Sequence, residues 1–364
     1  MKSYPPLFRA TSRFEAARQL DFPGLNPSLG ALHGHGFIVS VLADLPEDAG
    51  GYPGGQALQL QQSVQDHAST LDYGFLNDTI ADPTDANIGR WMHDKLAQLN
   101  VKRILVQSTP ASGVEIDADK TVFLWRKYRF HAAHQLPNVP AGHKCGRMHG
   151  HGFQVVLHAQ EQDHQGVRLT HDDLDTCWAP LASQLDYHCL NDIPGLSNPT
   201  SEILSSWIWD KLSPALPQLK WVMVYETASC GSIFDGKQYR IWKDTTIDSA
   251  VQFQCAPAGD PRAAIHGDTY TVRLMLSAPL DSKMGWTIDF GDVKTLFDPI
   301  FKSLDHQALY ERVEFREGDT TSIGNYVLLQ MKAECPHITG VQVMGSDGVG
   351  TILDSNSLGP GLPD

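Results

Sequence analysis

The chain has 364 residues, room for two or three ordinary domains, and its 41% apolar and 9% aromatic content is that of a protein with a packed core. Its 42 acidic against 28 basic side chains leave a formal charge of −14, which argues against non-specific nucleic-acid binding and against docking on an anionic membrane. No segment is apolar for long enough to span a bilayer, no leader-like apolar run follows Met1, and the six cysteines form no paired framework, so a cytoplasmic protein with reduced thiols is expected.

Taken in order, the first marker is His33-Gly34-His35-Gly36-Phe37, which opens an alternating apolar run over 37–42 that reads as a strand. The Pro- and Gly-rich stretch 46–55 reads as a loop. Leu71-Asp72-Tyr73 and Trp91-Met92-His93-Asp94-Lys95-Leu96 follow, then a short apolar strand at 104–106. The same markers return. His149-Gly150-His151-Gly152-Phe153 stands 116 residues after its first copy, followed by Leu185-Asp186-Tyr187, Trp207-Ile208-Trp209-Asp210-Lys211-Leu212 and a strand over 221–225. Within 201–212, Ile203, Leu204, Trp207, Ile208 and Leu212 recur at helical spacing, with Thr200 placed to cap the helix and Glu202 in its first turn. A weaker third round has His266-Gly267-Asp268-Thr269-Tyr270, a strand over 270–276 and Leu304-Asp305-His306. Three markers in one order at near-constant spacing predict three tandem units, 1–120, 121–245 and 246–364. Each is expected to run strand, strand, helices, strand, strand.

The second unit carries the chemistry. On a strand, His149 and His151 point to one face. His134 nearby would complete three nitrogen ligands and leave a fourth position open, as in catalytic zinc. Cys145 lies four residues before His149 between Lys144 and Arg147, and positive charge favours a thiolate. A His-x-His pair alone is more often two surface histidines; the nearness of His134 and Cys145 is what points to a metal. Glu226, ending an apolar strand, reads by itself as a solvent-exposed acid.

Phe130-His131-Ala132-Ala133-His134, Gly142-His143-Lys144-Cys145-Gly146-Arg147-Met148-His149-Gly150-His151-Gly152-Phe153, Leu185-Asp186-Tyr187-His188, Asn198-Pro199-Thr200-Ser201-Glu202 and Val224-Tyr225-Glu226-Thr227 follow one another over about residues 122–240. This block resembles the 6-pyruvoyltetrahydropterin synthase superfamily, and most closely its bacterial branch that makes 6-carboxytetrahydropterin in queuosine-type (7-deazaguanine) pathways. The resemblance implies an α+β tunnelling fold, or T-fold, in which each unit is a four-stranded antiparallel sheet with two helices. Three fused units would then close a pseudo-trimeric barrel, and two chains would stack as a homodimer. It further implies Zn2+ on His134, His149 and His151, a pterin anchored by Glu226, and proton transfer by Cys145 together with an Asp–His pair. The implied substrate is 7,8-dihydroneopterin triphosphate, cleaved with release of acetaldehyde and triphosphate, with Lys144 and Arg147 as candidates to meet the triphosphate. The competing readings are triphosphate elimination of the pyruvoyl type, a non-catalytic pterin-binding protein and a zinc-containing scaffold.

The flanking units depart from this pattern. In the first, Arg18 stands for His134, Leu29 for Cys145 and Gln107 for Glu226, so no complete metal site is expected. In the third, Asp268 stands for His151, Pro257 lies near the position of His134, Arg262 stands for the cysteine and Gly345-Ser346 for the glutamate. Only the third unit keeps the resembled Leu-Asp-His motif, as Leu304-Asp305-His306. A composite site is therefore expected, with metal, Cys145 and Glu226 from the second unit and Asp305 and His306 from the third. The alternative is that His188 serves the second unit and His306 is structural.

Overall fold

The computed structural model describes residues 4–21, 27–162, 166, 168–354 and 359–361. One succession of elements occurs three times. The first comprises β1 (Leu7–Arg18), β2 (His33–Asp44), α1 (Gln56–Ser69), β3 (Gly74–Phe75), α2 (Asp85–Lys95), β4 (Asn100–Thr109) and β5 (Ser112–Asp117). The second comprises β6 (Val122–His134), β7 (His149–Gln160), α3 (His171–Leu185), β8 (His188–Cys189), α4 (Ser201–Leu212), β9 (Leu219–Thr227) and β10 (Cys230–Phe234). The third comprises β11 (Tyr239–Val251), β12 (His266–Leu276), α5 (Phe290–Leu304), β13 (Gln307–Ala308), α6 (Thr320–Glu334), β14 (Ile338–Met344) and β15 (Gly350–Asp354).

The long strands pair antiparallel in the order β10-β9-β7-β6-β5-β4-β2-β1-β15-β14-β12-β11, and β11 pairs back onto β10, giving a closed barrel of 12 strands. Closure pairs each of the twelve long strands on both sides. The seams are β5–β6, β10–β11 and β1–β15, each joining one succession to the next. The two-residue strands β3, β8 and β13 lie off the ring, parallel to β1, β6 and β11. The boundary expected at 245–246 falls inside β11, because the first part of that strand is held by β10 as well as by β12.

Alternation along each strand separates two environments. One face packs on the helices, where Phe14 stacks on Phe37 with ring centroids 4.9 Å apart and Phe130 on Phe153 at 5.1 Å. The other face turns into the barrel, where Trp125, Val156, Met223, Ile233, Trp242 and Met275 form a packed cluster. Thr84, Thr200 and Asp319 cap α2, α4 and α6 through their side-chain oxygens. Among the described residues, no helix is long and apolar enough to cross a membrane.

Candidate active site

Strands β6 and β7 pair in the register His134↔His149 and Ala132↔His151. That register brings three imidazoles together at the ends of two strands. The Nε2 atoms of His134 and His149 lie 3.1 Å apart, and ligand atoms of all three histidines lie within 4.8 Å of one another. His134 Nδ1 sits 3.0 Å from the Pro199 carbonyl oxygen, and His149 Nδ1 sits 2.8 Å from that of Arg147. A carbonyl only accepts, so each Nδ1 carries the proton and each Nε2 turns a lone pair to the common centre. Burial pushes the His134 pKa down to about 4 and lowers that of His151, so these rings stay neutral. Neutral nitrogens at this spacing, steadied by carbonyls behind them, fit a zinc ion.

The set opens on a cavity of about 760 Å³ between the second and third units. Cys145 reaches it from a one-turn helix, Lys144–Gly146, capped by His143. Burial and the Glu226 carboxylate push the Cys145 thiol up, and Lys144 offsets this only in part. The thiolate expected from flanking positive charge is thus not what the protein side chains alone favour. Glu226, at the end of β9, places Oε1 3.6 Å from His151 Nε2. Burial, and next the Glu202 carboxylate, push the Glu226 pKa up to about 7.

The opposite wall belongs to the third unit, in the segment 281–289 before α5. Asn198 Nδ2 donates to the Met284 carbonyl (2.6 Å), Thr200 Oγ1 donates to that of Gly285 (2.5 Å), and Glu202 Oε1 accepts from the Thr287 amide (2.7 Å). Gly285 takes φ +73°, and a Cβ there would lie 2.7 Å from Asn198 Nδ2, which explains the glycine. Docked this way, the segment presents Trp286, Ile288 and Asp289 to the cavity, and β11 adds Lys243. Sequence reasoning missed all four. The one available signal was Asp289 ahead of a helical run, an N-cap pattern that says nothing about a site in another unit.

The first unit has a different solution at the same place. Arg18 pairs with His33 as His134 pairs with His149. Its Nη1 donates to Asp85 Oδ1 (2.6 Å) and to the Pro83 carbonyl (3.1 Å), and Ser108 Oγ donates to Asp85 Oδ2 (2.6 Å). A buried ion pair replaces the ligand set. Two sequence correspondences need correction. Val39↔Val106 matches Val155↔Val224, so Ser108 and not Gln107 is the counterpart of Glu226; the connection before β4 is shorter than that before β9. Val251 pairs with His266, so Val251 and not Pro257 takes the His134 position.

Asp305 and His306 are elsewhere. Asp305 Oδ2 is 2.9 Å from His306 Nδ1, and Asp305 Oδ1 accepts from the Asp248 amide at 3.0 Å. The Asp248 amide and His306 hold the Asp305 carboxyl low, and Asp305 in turn raises His306. His306 borders a separate groove with Asp248, Asp268 and Ser346. The composite site expected within one chain is therefore not assembled. His188 does not line the large cavity either; its Nδ1 sits 2.8 Å from the Asp186 carbonyl on an exposed turn. Tyr73, Tyr187 and His306 occupy the same place in the three units, all with φ between 52° and 57° and all projecting into solvent.

The model of the 6-pyruvoyl tetrahydropterin synthase family matches residues 123–237 and 240–355. The chain belongs to this family. A 6-carboxy-5,6,7,8-tetrahydropterin synthase of Synechocystis sp. is 35% identical over 114 residues, which cover 29% of this chain and 87% of that protein. The solved 6-pyruvoyl tetrahydropterin synthase of Caenorhabditis elegans is 21% identical with a TM-score of 0.27, covering 30% of this chain and 90% of the other. A uricase from Bacillus fastidious is 10% identical with a TM-score of 0.29, covering 72% and 90%. Family membership makes the chain a lyase-type pterin enzyme in outline.

Proposed function

We propose that this chain is a 6-carboxy-5,6,7,8-tetrahydropterin synthase acting on 7,8-dihydroneopterin triphosphate, with its reaction centre in the second unit. The observation that carries the reading is three convergent histidines, His134, His149 and His151, the last two lining one cavity together with Cys145 and Glu226. Ionised Glu226 offers two parallel acceptors to the amino and ring N–H groups of a pterin. Cys145 moves a proton at the side-chain carbon next to the ring. A zinc ion held by His134, His149 and His151 would polarise the side-chain hydroxyls as a Lewis acid and, by its charge, favour the Cys145 thiolate. Lys144, Arg147 and Lys243 stand in the cavity wall where a triphosphate needs cations.

The second acid/base in this reading is Asp305–His306 of a second copy. His306 stands out on the barrel rim that also carries Leu32, Met148 and Ile265, three exposed apolar side chains that each precede the first histidine position of a unit. Such a ring suits a stacked homodimer. A cytoplasmic role in a queuosine-type pathway completes the reading.

Product analysis tests it. Zinc-loaded protein given dihydroneopterin triphosphate should release acetaldehyde and triphosphate, and Cys145→Ala should lose turnover while keeping zinc. Triphosphate release without acetaldehyde would point to the pyruvoyl-type reaction. Tight pterin binding with no product would make the chain a binder.

A further inference from the structure

His143 lies outside the cavity wall, yet it links the turn carrying Cys145 to the third unit. Its Nδ1 accepts a hydrogen bond from the Cys145 amide at 3.2 Å. The neutral ring therefore carries its proton on Nε2, which lies 3.2 Å from Asp289 Oδ2. The ring also packs against Trp286, centroid to centroid 5.8 Å. Asp289 is fixed from its own side, because its Oδ1 accepts from the amides of Gly291 (2.5 Å) and Asp292 (3.3 Å) and so caps α5. Both side chains are largely shielded, at 24% and 15% exposure, so the contact is not a solvent-screened surface pair. The chain of contacts runs from the first turn of α5 through Asp289 and His143 to the Cys145 backbone.

We infer that His143 and Asp289 are positioning residues that hold the Cys145 turn against the third unit, so that the second unit's site is competent only with segment 281–289 docked. The inference rests on the proposed role of Cys145 and extends it to His143, two residues before it, and to Asp289 of the third unit. It also gives the third unit, which lacks the metal set, a part in the reaction.

The test uses the full-length, zinc-loaded chain. Asp289→Ser keeps a helix-capping oxygen but is too short to reach His143, so α5 should still form. His143→Asn keeps an acceptor for the Cys145 amide but not the contact with Asp289. Each variant should speed iodoacetamide alkylation of Cys145 about 5-fold, read by mass spectrometry, because the turn loosens and an orienting contact is lost. Each should lower kcat with KM little changed, the double variant should be no worse than either single one, and Asp289→Asn, which still offers an acceptor to Nε2–H, should recover most of the loss. Alkylation and kcat both at wild-type values in the single variants would overturn the inference. So would additive losses in the double. Were the wild-type chain inert towards the pterin, the alkylation rates would still decide whether the pair positions Cys145, which separates failure of this inference from failure of the proposed activity.

Discussion

Where the second unit has His134, the first has Arg18, a side chain that is always charged and offers no lone pair to a metal. Arg18 and Asp85 are 5% and 7% exposed, so the pair has been taken out of water. Arg18→Ala would leave the Asp85 charge buried without its partner, at an expected cost of about 3–5 kcal/mol in urea denaturation. A loss below about 1 kcal/mol would show that water already solvates Asp85. Glu226 makes the second prediction at this scale. Its pKa is raised to about 7, chiefly by burial, and pterin recognition needs the carboxylate. The ionised fraction grows as pH rises through that value, so kcat/KM should climb across about pH 7 and fall away below it. Glu226→Gln should abolish both that limb and most of the pterin affinity. A limb that survives in Glu226→Gln belongs to another group.

At the scale of elements, α2 and α4 are the same helix in two contexts. Each has a threonine N-cap, Thr84 accepting from the Asn87 amide and Thr200 from the Ile203 amide. Thr200 alone also donates to Gly285 of the third unit. Thr84→Ala should cost about 1 kcal/mol, an ordinary cap. Thr200→Ala should cost about twice that, since it also removes a buried bond between units. It should weaken pterin binding as well, by releasing the segment that carries Trp286. Equal costs in denaturation and unchanged pterin affinity would show that the segment docks without Thr200. The cap and the acid in the first turn of α4 were legible in Thr200-Ser201-Glu202. That Glu202 is buried and accepts from Thr287 was not, because its partner lies 85 residues away.

At the scale of the whole molecule, each unit raises a left-handed residue at the turn after its first helix, beside an aspartate that accepts from a strand amide: Asp72 for Tyr73, Asp186 for Tyr187, Asp305 for His306. A two-fold axis across the barrel end fixes how such arms meet sites. If the third unit's arm enters the partner's second site, the second unit's arm enters the partner's third and the first meets the first. The histidine would then serve the site with the metal set, and the tyrosines would fill the two sites without one. Mixing two inactive variants, Cys145→Ala and His306→Ala, tests this, because a mixed dimer contains one site with both residues intact. With random exchange of chains, activity should return to about one quarter of wild type. Failure to return, with dimers formed, would place the second acid/base within one chain.

The sequence by itself determined the repeat, the strand and helix succession of each unit, the three-histidine set and the loss of that set in the first and third units. Those features are local: His149 and His151 share a face through the two-residue period of a strand, and Arg18 announces its incapacity through its own chemistry. What the tertiary structure alone decided lies at the seams. Ring closure sets which unit faces which, and so gives the second unit's site Asp289, Trp286 and Lys243 while leaving His306 on another groove. The register correspondences of Ser108 and Val251 depended on hydrogen-bond ladders and connection lengths that a fixed repeat offset does not capture. Burial, too, belongs to the fold. It turned Glu226 from an apparent strand-end acid into a carboxyl with a pKa near 7 and raised the Cys145 thiol despite the cations beside it in sequence, because desolvation acts on the charged form whatever its chain neighbours are.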